Sequence, residues 1–394
     1  MLTHDLVEER SFFGGLTAQP ADALLALIGL HRADARPGKM DLGIGMFRDD
    51  LGQTPVMRAV KVAEAMLVEQ QESKSYLGTE GDGCFAALLA EVVFGAGTDR
   101  LTGVQTPGGT GALRLGAELI ARSRPGATVW IGTPTWPNHA PIFRDAGLPV
   151  QTHRFFDVAS AAIDFDAMIE DLGDAQAGDV LLLHGCCHNP TGADFSGEQW
   201  REIARLCERR GLLPFIDLAY QGLGDGLDAD AAAMRGLLRA LPEAVIAYSC
   251  DKNFGLYRER VGALWVQSIS TDPVRGNLLT LARSLWSMPP DHGAAVVRLV
   301  LENAALRADW AAELDAMRAR INELRMALAA SHPRLAAIGD QRGMFALLPL
   351  GPDAVEALRR DHGIYMAGNG RINIAGLTPE NIPIFVAGVA PYLA

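Results

Sequence analysis

Apolar runs alternate with amphipathic stretches through the middle of the chain. Short runs rich in apolar and β-branched residues predict buried strands at 129–131, 180–183, 212–216 and 244–248. Apolar positions at helical spacing predict helices at 112–120 and 199–207. Because strands and helices alternate from about residue 100 to 266, we expect this part to form an α/β domain with a largely parallel sheet.

The two ends of the chain follow a different pattern. Helical patterns occur at 20–28 and 56–71, and an extended, glycine-containing segment lies between them at 40–47. Residues 292–330 keep one apolar face almost continuously, which predicts a long helix. The segments 343–348, 363–365 and 371–375 predict short strands, followed by a closing helix.

Composition and charge limit the classes of partner. The 394 residues carry a net charge of -12 and no basic run, which argues against binding to nucleic acid or to a membrane. Apolar stretches fall short of the roughly 20 residues that cross a bilayer, and residues 1–10 do not resemble a secretory signal. The 5 cysteines make a poor disulfide framework. We therefore expect a cytoplasmic protein that binds small molecules.

A lysine just after the apolar run 244–248 is the first candidate for chemistry. Lys252 lies in the segment 249–256 (SCDKNFGL), and Arg260 follows closely. An amine held among apolar groups near a second cation loses part of its preference for the charged form, and a neutral amine can attack a carbonyl to form a Schiff base. A solvated loop lysine is the alternative that this segment alone leaves open.

A glycine-rich segment precedes the predicted helix at 112–120. Residues 106–111 read TPGGTG, and unpaired amides at a helix start form a ready site for a phosphate group, to which Thr110 adds a hydroxyl. The spacing matches neither a nucleotide P-loop nor a dinucleotide fingerprint, so ATP and NAD are poorly supported. An ordinary turn is the alternative interpretation.

An acid, an aromatic residue and a histidine-cysteine cluster complete the candidates. Asp217 directly follows the run 212–216, where a buried carboxylate needs a partner. A cation of a ligand, a protein base and a capping contact with the following segment are the alternatives. Trp136 lies in a proline-bracketed loop and is either a rim aromatic or a lid over a flat ligand. The histidines and cysteines of 184–188 lack the spacing of a zinc site, so we expect no metal.

Together these features describe a site for pyridoxal 5'-phosphate: an amine, a phosphate cradle, an acid for the ring nitrogen and an aromatic to stack on the ring. From about residue 12 to the C-terminus the sequence resembles the aspartate and aromatic aminotransferases, class I of the fold type I pyridoxal-phosphate enzymes. The segments that carry the resemblance are 105–110, 184–192, 217–222 and 252–262.

The resemblance implies an α/β fold with two domains. A large domain would have a central mixed, mostly parallel sheet flanked by helices, and a smaller α/β domain would accompany it. Residues 1–50 would supply an N-terminal arm and part of the small domain, 51–305 the large pyridoxal-phosphate-binding domain, and 306–394 the rest of the small domain. A homodimer with shared active sites is implied as well.

The resemblance also assigns roles to residues of the cofactor site. Lys252 would bind the cofactor covalently and shuttle a proton, Asp217 would pair with the ring nitrogen, and His139 would orient that carboxylate. The residues assigned to the ring and its hydroxyl are Trp136, Asn189 and Tyr220. The assigned phosphate ligands are Gly108, Gly109, Thr110, Ser249, Arg260 and, from the neighbouring subunit, Tyr76.

The substrate contacts implied by the resemblance centre on two arginines. Arg371, in NGRIN at 369–373, would hold the substrate α-carboxylate, with Gly45, Trp136 and Asn189 nearby. Arg283 would bind a side-chain carboxylate across the dimer interface. The implied reaction is a ping-pong transfer of the amino group of aspartate or glutamate to a 2-oxo acid such as 2-oxoglutarate. Tyrosine or phenylalanine as donor is the alternative, and a β-decarboxylase or lyase is a further one.

Two positions depart from the family pattern. Met288 stands where asparagine is usual, and Asp251 stands beside Lys252 where a small residue is usual. Asp251 brings a potential anion close to the amine and to the predicted phosphate site. We expect it either to raise the pKa of that amine or to weaken phosphate binding.

Overall fold

A sheet of seven strands lies at the centre of the protein. The computed structural model describes residues 12–19, 23–95 and 100–393. In chain order the strands are β1 (Met40–Asp41), β2 (Leu101–Pro107), β3 (Val129–Thr133), β4 (Val150–Arg154), β5 (Phe156–Asp157), β6 (Ala162–Ile163), β7 (Val180–His184), β8 (Leu213–Leu218), β9 (Ala244–Ser249), β10 (Val261–Gln267), β11 (Phe345–Leu347), β12 (Ile364–Tyr365) and β13 (Arg371–Asn373). The α-helices are α1 (Ala23–Ala33), α2 (Arg58–Gln70), α3 (Gly83–Phe94), α4 (Gly108–Ser123), α5 (His139–Asp145), α6 (Phe165–Asp171), α7 (Gly197–Arg210), α8 (Leu227–Ala240), α9 (Thr271–Leu285), α10 (His292–Glu302), α11 (Ala304–Ser331), α12 (Pro352–His362) and α13 (Ile382–Val389).

The central sheet is mixed and mostly parallel, as predicted. Its order is β2-β10-β9-β8-β7-β3-β4. Strand β10 is antiparallel to β2 and β9, and the other neighbouring pairs are parallel. Successive residues of β7 enter different apolar cores, since Leu181 packs with one cluster and Leu182 with another. Helices therefore cover both faces, which explains why these strands are continuous apolar runs.

Strands β2 and β10 are not among the strands predicted from the sequence. Buried polar residues interrupt the apolar pattern of β2, in which Gln105 is fully buried. Its side-chain oxygen accepts a hydrogen bond from the amide of Asp82 and its side-chain nitrogen donates to the carbonyl of Pro290. These bonds satisfy the buried amide, but both depend on tertiary structure.

The parallel strands bring their carboxyl ends to one edge of the sheet. Strand β3 ends at Thr133, β7 at His184, β8 at Leu218 and β9 at Ser249. This edge is where ligands bind in open α/β sheets. The loops that follow β3 and β9 carry the candidates Trp136 and Lys252, so the fold itself gathers them.

Helix α4 begins earlier than the sequence pattern indicates. The prediction starts the helix at residue 112, whereas α4 begins at Gly108, directly after β2. A Cβ atom at Gly108 would lie 2.6 Å from the Arg260 guanidinium, and one at Gly109 would lie 3.0 Å from the Ser249 Cβ. Glycine is therefore required for close packing in the first turn, and these residues are not a separate loop.

The predicted long helix at 292–330 is two helices, α10 and α11. Asn303 separates them in an extended conformation, and its side-chain oxygen accepts hydrogen bonds from the amides of Ala305 and Leu306. This capping starts a new helix. Although α11 has 28 residues, neither it nor any other described helix combines length with the apolar composition needed to cross a membrane.

Short sheets join the N-terminal and C-terminal parts of the chain. Strand β1 pairs in parallel with β12, and β11 pairs antiparallel with β13. Arg36 also donates to the carbonyl oxygens of Arg359 and Arg360. These contacts are the kind that the predicted grouping of residues 1–50 with 306–394 requires. The boundaries themselves stay a prediction.

Candidate active site

A cavity of about 250 Å³ opens at the carboxyl edge of the central sheet. It collects residues from four strand ends and from the start of α4. The residues that line it are Gly109, Thr110, Trp136, His184, Asn189, Asp217, Ala219, Tyr220, Ser249, Asp251, Lys252 and Arg260. Most of the residues predicted for the cofactor site therefore meet in one place.

Lys252 projects into this cavity from the loop after β9. Burial lowers the pKa of its amine below the ordinary value, although the nearby carboxylates of Asp251 and Asp217 oppose that shift. Its Nζ atom lies 3.8 Å from an Asp251 oxygen and 5.5 Å from the centre of the Tyr220 ring. A lowered pKa increases the fraction of neutral amine, the form that attacks carbonyl groups.

A hydrogen-bonded chain holds Asp217 at the end of β8. The Thr135 hydroxyl donates to Nδ1 of His139 (2.8 Å), and Nε2 of His139 donates to the Asp217 carboxylate (3.0 Å). Burial would raise the pKa of Asp217, but the hydrogen bond from His139 and the positive charge of neighbouring side chains, Lys252 among them, lower it below the ordinary value. Asp217 is thus an ionised carboxylate that faces a cavity, as pairing with a cationic ring nitrogen requires.

His184 is a lining residue that sequence analysis considered only as a metal ligand. Burial, followed by the charge of His139, lowers its pKa to about 3, so it is neutral near pH 7. Its Nε2 atom is buried without a hydrogen-bond partner among the described residues. His139, His184 and Asp217 bring donor atoms within 4.8 Å of one another, but Nε2 of His139 is already bonded to Asp217. The position at the end of β7 is the signal that could have placed His184 here.

The predicted phosphate cradle surrounds the start of α4. No side chain caps this helix among the described residues, so the amides of Gly109 and Thr110 are free to bind an anion. Ser249 and Arg260 complete the cradle from the other side. The Arg260 guanidinium donates to Asp251 at 2.6 Å. Gly108 lies beneath that guanidinium and supplies space for it.

Arg371 lies beside the cavity with its guanidinium buried. It donates to the Asn189 side chain (3.1 Å) and to the Gly43 carbonyl (2.7 Å), and it covers the Phe345 ring at 4.4 Å. Its Nε atom has no partner among the described residues. Burial lowers the pKa of the Arg371 guanidinium. An anionic partner would therefore stabilise this buried cation. Asn189 connects it to the cavity, which it also lines.

Gly43 and Phe345 were not predicted, and the backbone contact expected of Gly45 near the substrate carboxylate stays a prediction. A Cβ atom at Gly45 would lie 2.5 Å from the Phe345 ring. Glycine there allows that ring to pack under Arg371. An aromatic residue and a backbone carbonyl give no sequence signal for this role, because their relevance depends on where Arg371 lies.

Trp136 and Tyr220 both line the cavity. Trp136 is half-buried and packs edge-on against His139, with ring centres 5.2 Å apart. Tyr220 is buried, and burial raises the pKa of its hydroxyl. Its phenol is therefore protonated near neutral pH and can donate a hydrogen bond.

Tyr76 and Arg283 do not line this cavity within the single chain. Tyr76 is 90% exposed. Arg283 is exposed in the last turn of α9, where it donates to the Ser287 hydroxyl at 2.8 Å. Both were expected to act on the site of a neighbouring subunit, so their exposure leaves that expectation open.

Comparisons with known proteins agree with one another. Residues 37–389 match the family model of aminotransferase class I and II. The chain is 55% identical over 374 residues to a tyrosine aminotransferase of Rhizobium meliloti (strain 1021), covering 93% of this chain and 96% of the relative. It is 44% identical over 393 residues to an aspartate aminotransferase of Escherichia coli (strain K12), covering 96% and 99%. A solved aromatic-amino-acid aminotransferase from Burkholderia pseudomallei, covalently bound to pyridoxal phosphate, superposes with a TM-score of 0.93 at 36% identity, covering 98% of this chain and 100% of that one.

Proposed function

The chain belongs to the class I and II aminotransferases and is a pyridoxal-phosphate-dependent transaminase, and we propose that Lys252, Asp217 and Arg371 carry its reaction. The observation that supports this most strongly is the meeting of a buried amine with a lowered pKa and an ionised carboxylate in one cavity. A buried guanidinium with an unpartnered nitrogen adjoins them. Each group is costly to bury alone and is satisfied by one part of the cofactor or substrate.

The residues present fit pyridoxal phosphate. Phosphate fits the uncapped start of α4, where side chains at Gly108 and Gly109 would close the cradle. Asp217 fits the ring nitrogen, and the protonated Tyr220 hydroxyl fits the ring oxygen. Trp136 offers a flat surface at the cavity wall.

Pyridoxal phosphate supplies a carbonyl that accepts amines and a ring that accepts electrons. Lys252 would hold the cofactor through its amine, and the same amine would take up the proton from the substrate Cα. Asp217 keeps a positive charge on the ring nitrogen, which favours electron acceptance. Arg371 binds the substrate carboxylate through a bidentate contact and orients the Cα–H bond towards Lys252.

We propose aspartate or glutamate as the amino donor and a 2-oxo acid such as 2-oxoglutarate as the acceptor. Arg283, supplied by the neighbouring subunit, would bind the second carboxylate. The second candidate donor is an aromatic amino acid. It is favoured by the 55% identity to a tyrosine aminotransferase, and a largely apolar cavity of about 630 Å³, with Leu27 and Met366 in its wall, also reaches Arg371.

Single-turnover absorbance measurements test this proposal. Aspartate, glutamate, tyrosine and phenylalanine are each added to the purified holoenzyme, and the loss of the cofactor absorbance band is followed. We expect fast conversion by aspartate and glutamate. Equal or faster conversion by tyrosine and phenylalanine would move the enzyme to the aromatic class. No conversion by any donor would contradict the substrate assignment.

We further propose a homodimer in a reducing, cytoplasmic environment. The exposed Tyr76 and Arg283 support the dimer, because each needs a partner surface to reach an active site. The free thiols of all five cysteines support the environment. The domain boundaries at residues 50 and 305 belong to the same proposal, in which the smaller domain closes over the substrate.

A further inference from the structure

Asp251 places a carboxylate inside the predicted phosphate cradle. Its side chain is 7% exposed and lines the same cavity as Gly109, Thr110 and Ser249. One oxygen, Oδ2, accepts a hydrogen bond of 2.6 Å from Arg260. In this structure, the guanidinium assigned to the phosphate is therefore already paired with a protein anion.

The second oxygen of Asp251 is unsatisfied. Oδ1 is buried and has no hydrogen-bond partner among the described residues. Buried carboxylate oxygens are normally hydrogen-bonded, because leaving one unpaired costs free energy. Asp251 lines the same cavity as Gly109 and Thr110 of the first turn of α4, so a phosphate oxygen bound there is the partner that the proposed cofactor would bring to Oδ1.

The charges around Asp251 do not balance two anions. The cations nearest to it are Lys252, with Nζ at 3.8 Å, and Arg260. Burial lowers the pKa of the Lys252 amine, which reduces the fraction of the amine in its charged form. The start of α4 presents amides and a partial positive charge, and Tyr257 is neutral because burial raises its pKa to about 12. A phosphate carries a charge of -1.5 to -2 near pH 7, and the Asp251 carboxylate would add a further negative charge beside it.

We propose that Asp251 takes up one proton when the cofactor phosphate binds, and that the protonated Oδ1 then donates a hydrogen bond to a phosphate oxygen. This inference rests on the proposed placement of the phosphate. The proton comes from solvent, the phosphate remains a dianion, and Arg260 becomes available to it. Asp251 thereby acts as a hydroxyl donor in the complex and as a competing anion in the free protein.

Cofactor retention is consequently linked to pH. Each bound phosphate requires a proton on Asp251, and protons become scarcer as the pH rises. The ratio of the dissociation constant to that of a protein without this carboxylate should increase about tenfold for each pH unit. The enzyme should lose phosphorylated cofactor more readily in alkaline solution.

Equilibrium dialysis of pyridoxamine 5'-phosphate against the full chain, at pH 7 to 9, tests the proposal. This ligand cannot bond covalently to Lys252, and at these pH values its phosphate is mostly dianionic. The proteins compared are the wild type, Asp251→Asn and Asp251→Ser. We expect the ratio of the wild-type dissociation constant to that of either variant to rise about tenfold for each pH unit. Titrations of the ligand itself cancel in this comparison.

Two controls make the result specific. Glu259→Gln removes a charge next to Arg260, but its side chain contacts His292 at 3.0 Å and does not line the cavity. It should keep the wild-type pH slope. Pyridoxamine without phosphate should bind all four proteins with the same pH dependence, because its binding requires no proton on Asp251.

The outcomes separate failure of this inference from failure of the proposed function. Parallel pH curves for the wild type and both variants would overturn the inference while leaving the cofactor site in place. The inference would also be overturned if the wild type and the variants showed the same difference in pH dependence with pyridoxamine that lacks the phosphate. Absence of binding by every protein, including the wild type, would overturn the proposed site as well. If Asp251→Asn does not fold, as judged by circular dichroism, Asp251→Ser carries the comparison.

Discussion

At the residue scale, burial sets the protonation of the active-site groups. The amine of Lys252 has a lowered pKa because it is buried, whereas Asp217 stays ionised because hydrogen bonding and positive charge outweigh burial. Two groups of opposite sign thus remain reactive in one cavity. Perturbed pairs of this kind are typical of acid-base sites.

Replacement of Asp217 by asparagine should impair catalysis strongly. The amide keeps the shape but cannot stabilise a positive ring nitrogen, so we expect kcat to fall about 10²- to 10³-fold, the loss typical when one electrostatic partner of the transition state is removed. Steady-state kinetics with aspartate measures this. Asp179→Asn is the matched control: this buried carboxylate accepts from the amide of Thr128 and the Trp130 indole at the amino end of β7. It should lower stability without changing kcat, and an equal loss of kcat in both variants would contradict the role of Asp217.

His184 should make the cofactor-free protein less stable in acid. Its folded pKa of about 3 lies below the ordinary value of 6.5, so the unfolded state binds more protons between these values. Its contribution is complete above pH 6.5 and falls by up to about 1.4 kcal/mol per pH unit below it. Urea unfolding at pH 7.5 and 5.5 should show a smaller drop for His184→Gln. The exposed His362→Gln should behave like the wild type, and identical drops in all three would rule out this assignment.

At the element scale, close packing of α4 against the sheet places the phosphate cradle. Helix α4 lies on strands β8 and β9, and Gly116 faces Phe215 and Val245 there. This approach fixes the start of α4 relative to Ser249 and Arg260. The amides of the first turn can bind phosphate only because the rest of the helix is this close.

Gly116→Ala should therefore destabilise the protein, whereas Gly276→Ala should not. A Cβ atom at Gly116 would lie 2.6 Å from the Phe215 ring, an overpacking that costs about 1–3 kcal/mol. Gly276 in α9 has no atom within 4 Å of the added Cβ, so alanine there should stabilise the helix by about 0.5–1 kcal/mol. Denaturant unfolding measures both changes. Equal effects of the two substitutions would show that packing against the sheet is not the cause.

At the scale of the whole molecule, the proposed roles of the exposed Tyr76 and Arg283 require a second chain to complete the site. The residues that line the cavity come from one chain. The proposed dicarboxylate specificity requires an arginine from another chain. Substrate choice would then be a property of the dimer, and this can be tested without a structure of the complex.

Mixing Lys252→Ala subunits with Arg283→Ala subunits should restore activity towards aspartate. In a mixed dimer with shared sites, one site carries both substitutions and the other carries neither. Random mixing by symmetric association should therefore give about one quarter of wild-type activity. Each variant refolded alone is the control and should remain poorly active. A mixture no more active than the sum of its parts would exclude an Arg283 that acts across the interface.

The sequence by itself determined the order of the main elements and predicted most of the residues that line the candidate cavity. Local periodicity predicts β7, β8 and β9, because a strand buried on both faces must be apolar throughout. Topology then requires their carboxyl ends to meet, which brings the predicted Asp217 and Lys252 together. Strand β2 and the break at Asn303 were missed, since buried amide bonds and a single capping side chain leave little trace in a hydrophobic pattern.

Only the tertiary structure decided which groups contact one another. Arg371 donates to Gly43, 328 residues away in sequence, and no local pattern encodes such a distance. Packing places His184 in the wall of the cavity and Phe345 under Arg371. Packing also leaves Arg283 exposed. Asp251 is the clearest case. The sequence shows an acid beside the lysine, but only the fold shows one oxygen on Arg260 and the other buried without a partner, because hydrogen bonding and burial depend on groups brought together from distant parts of the chain.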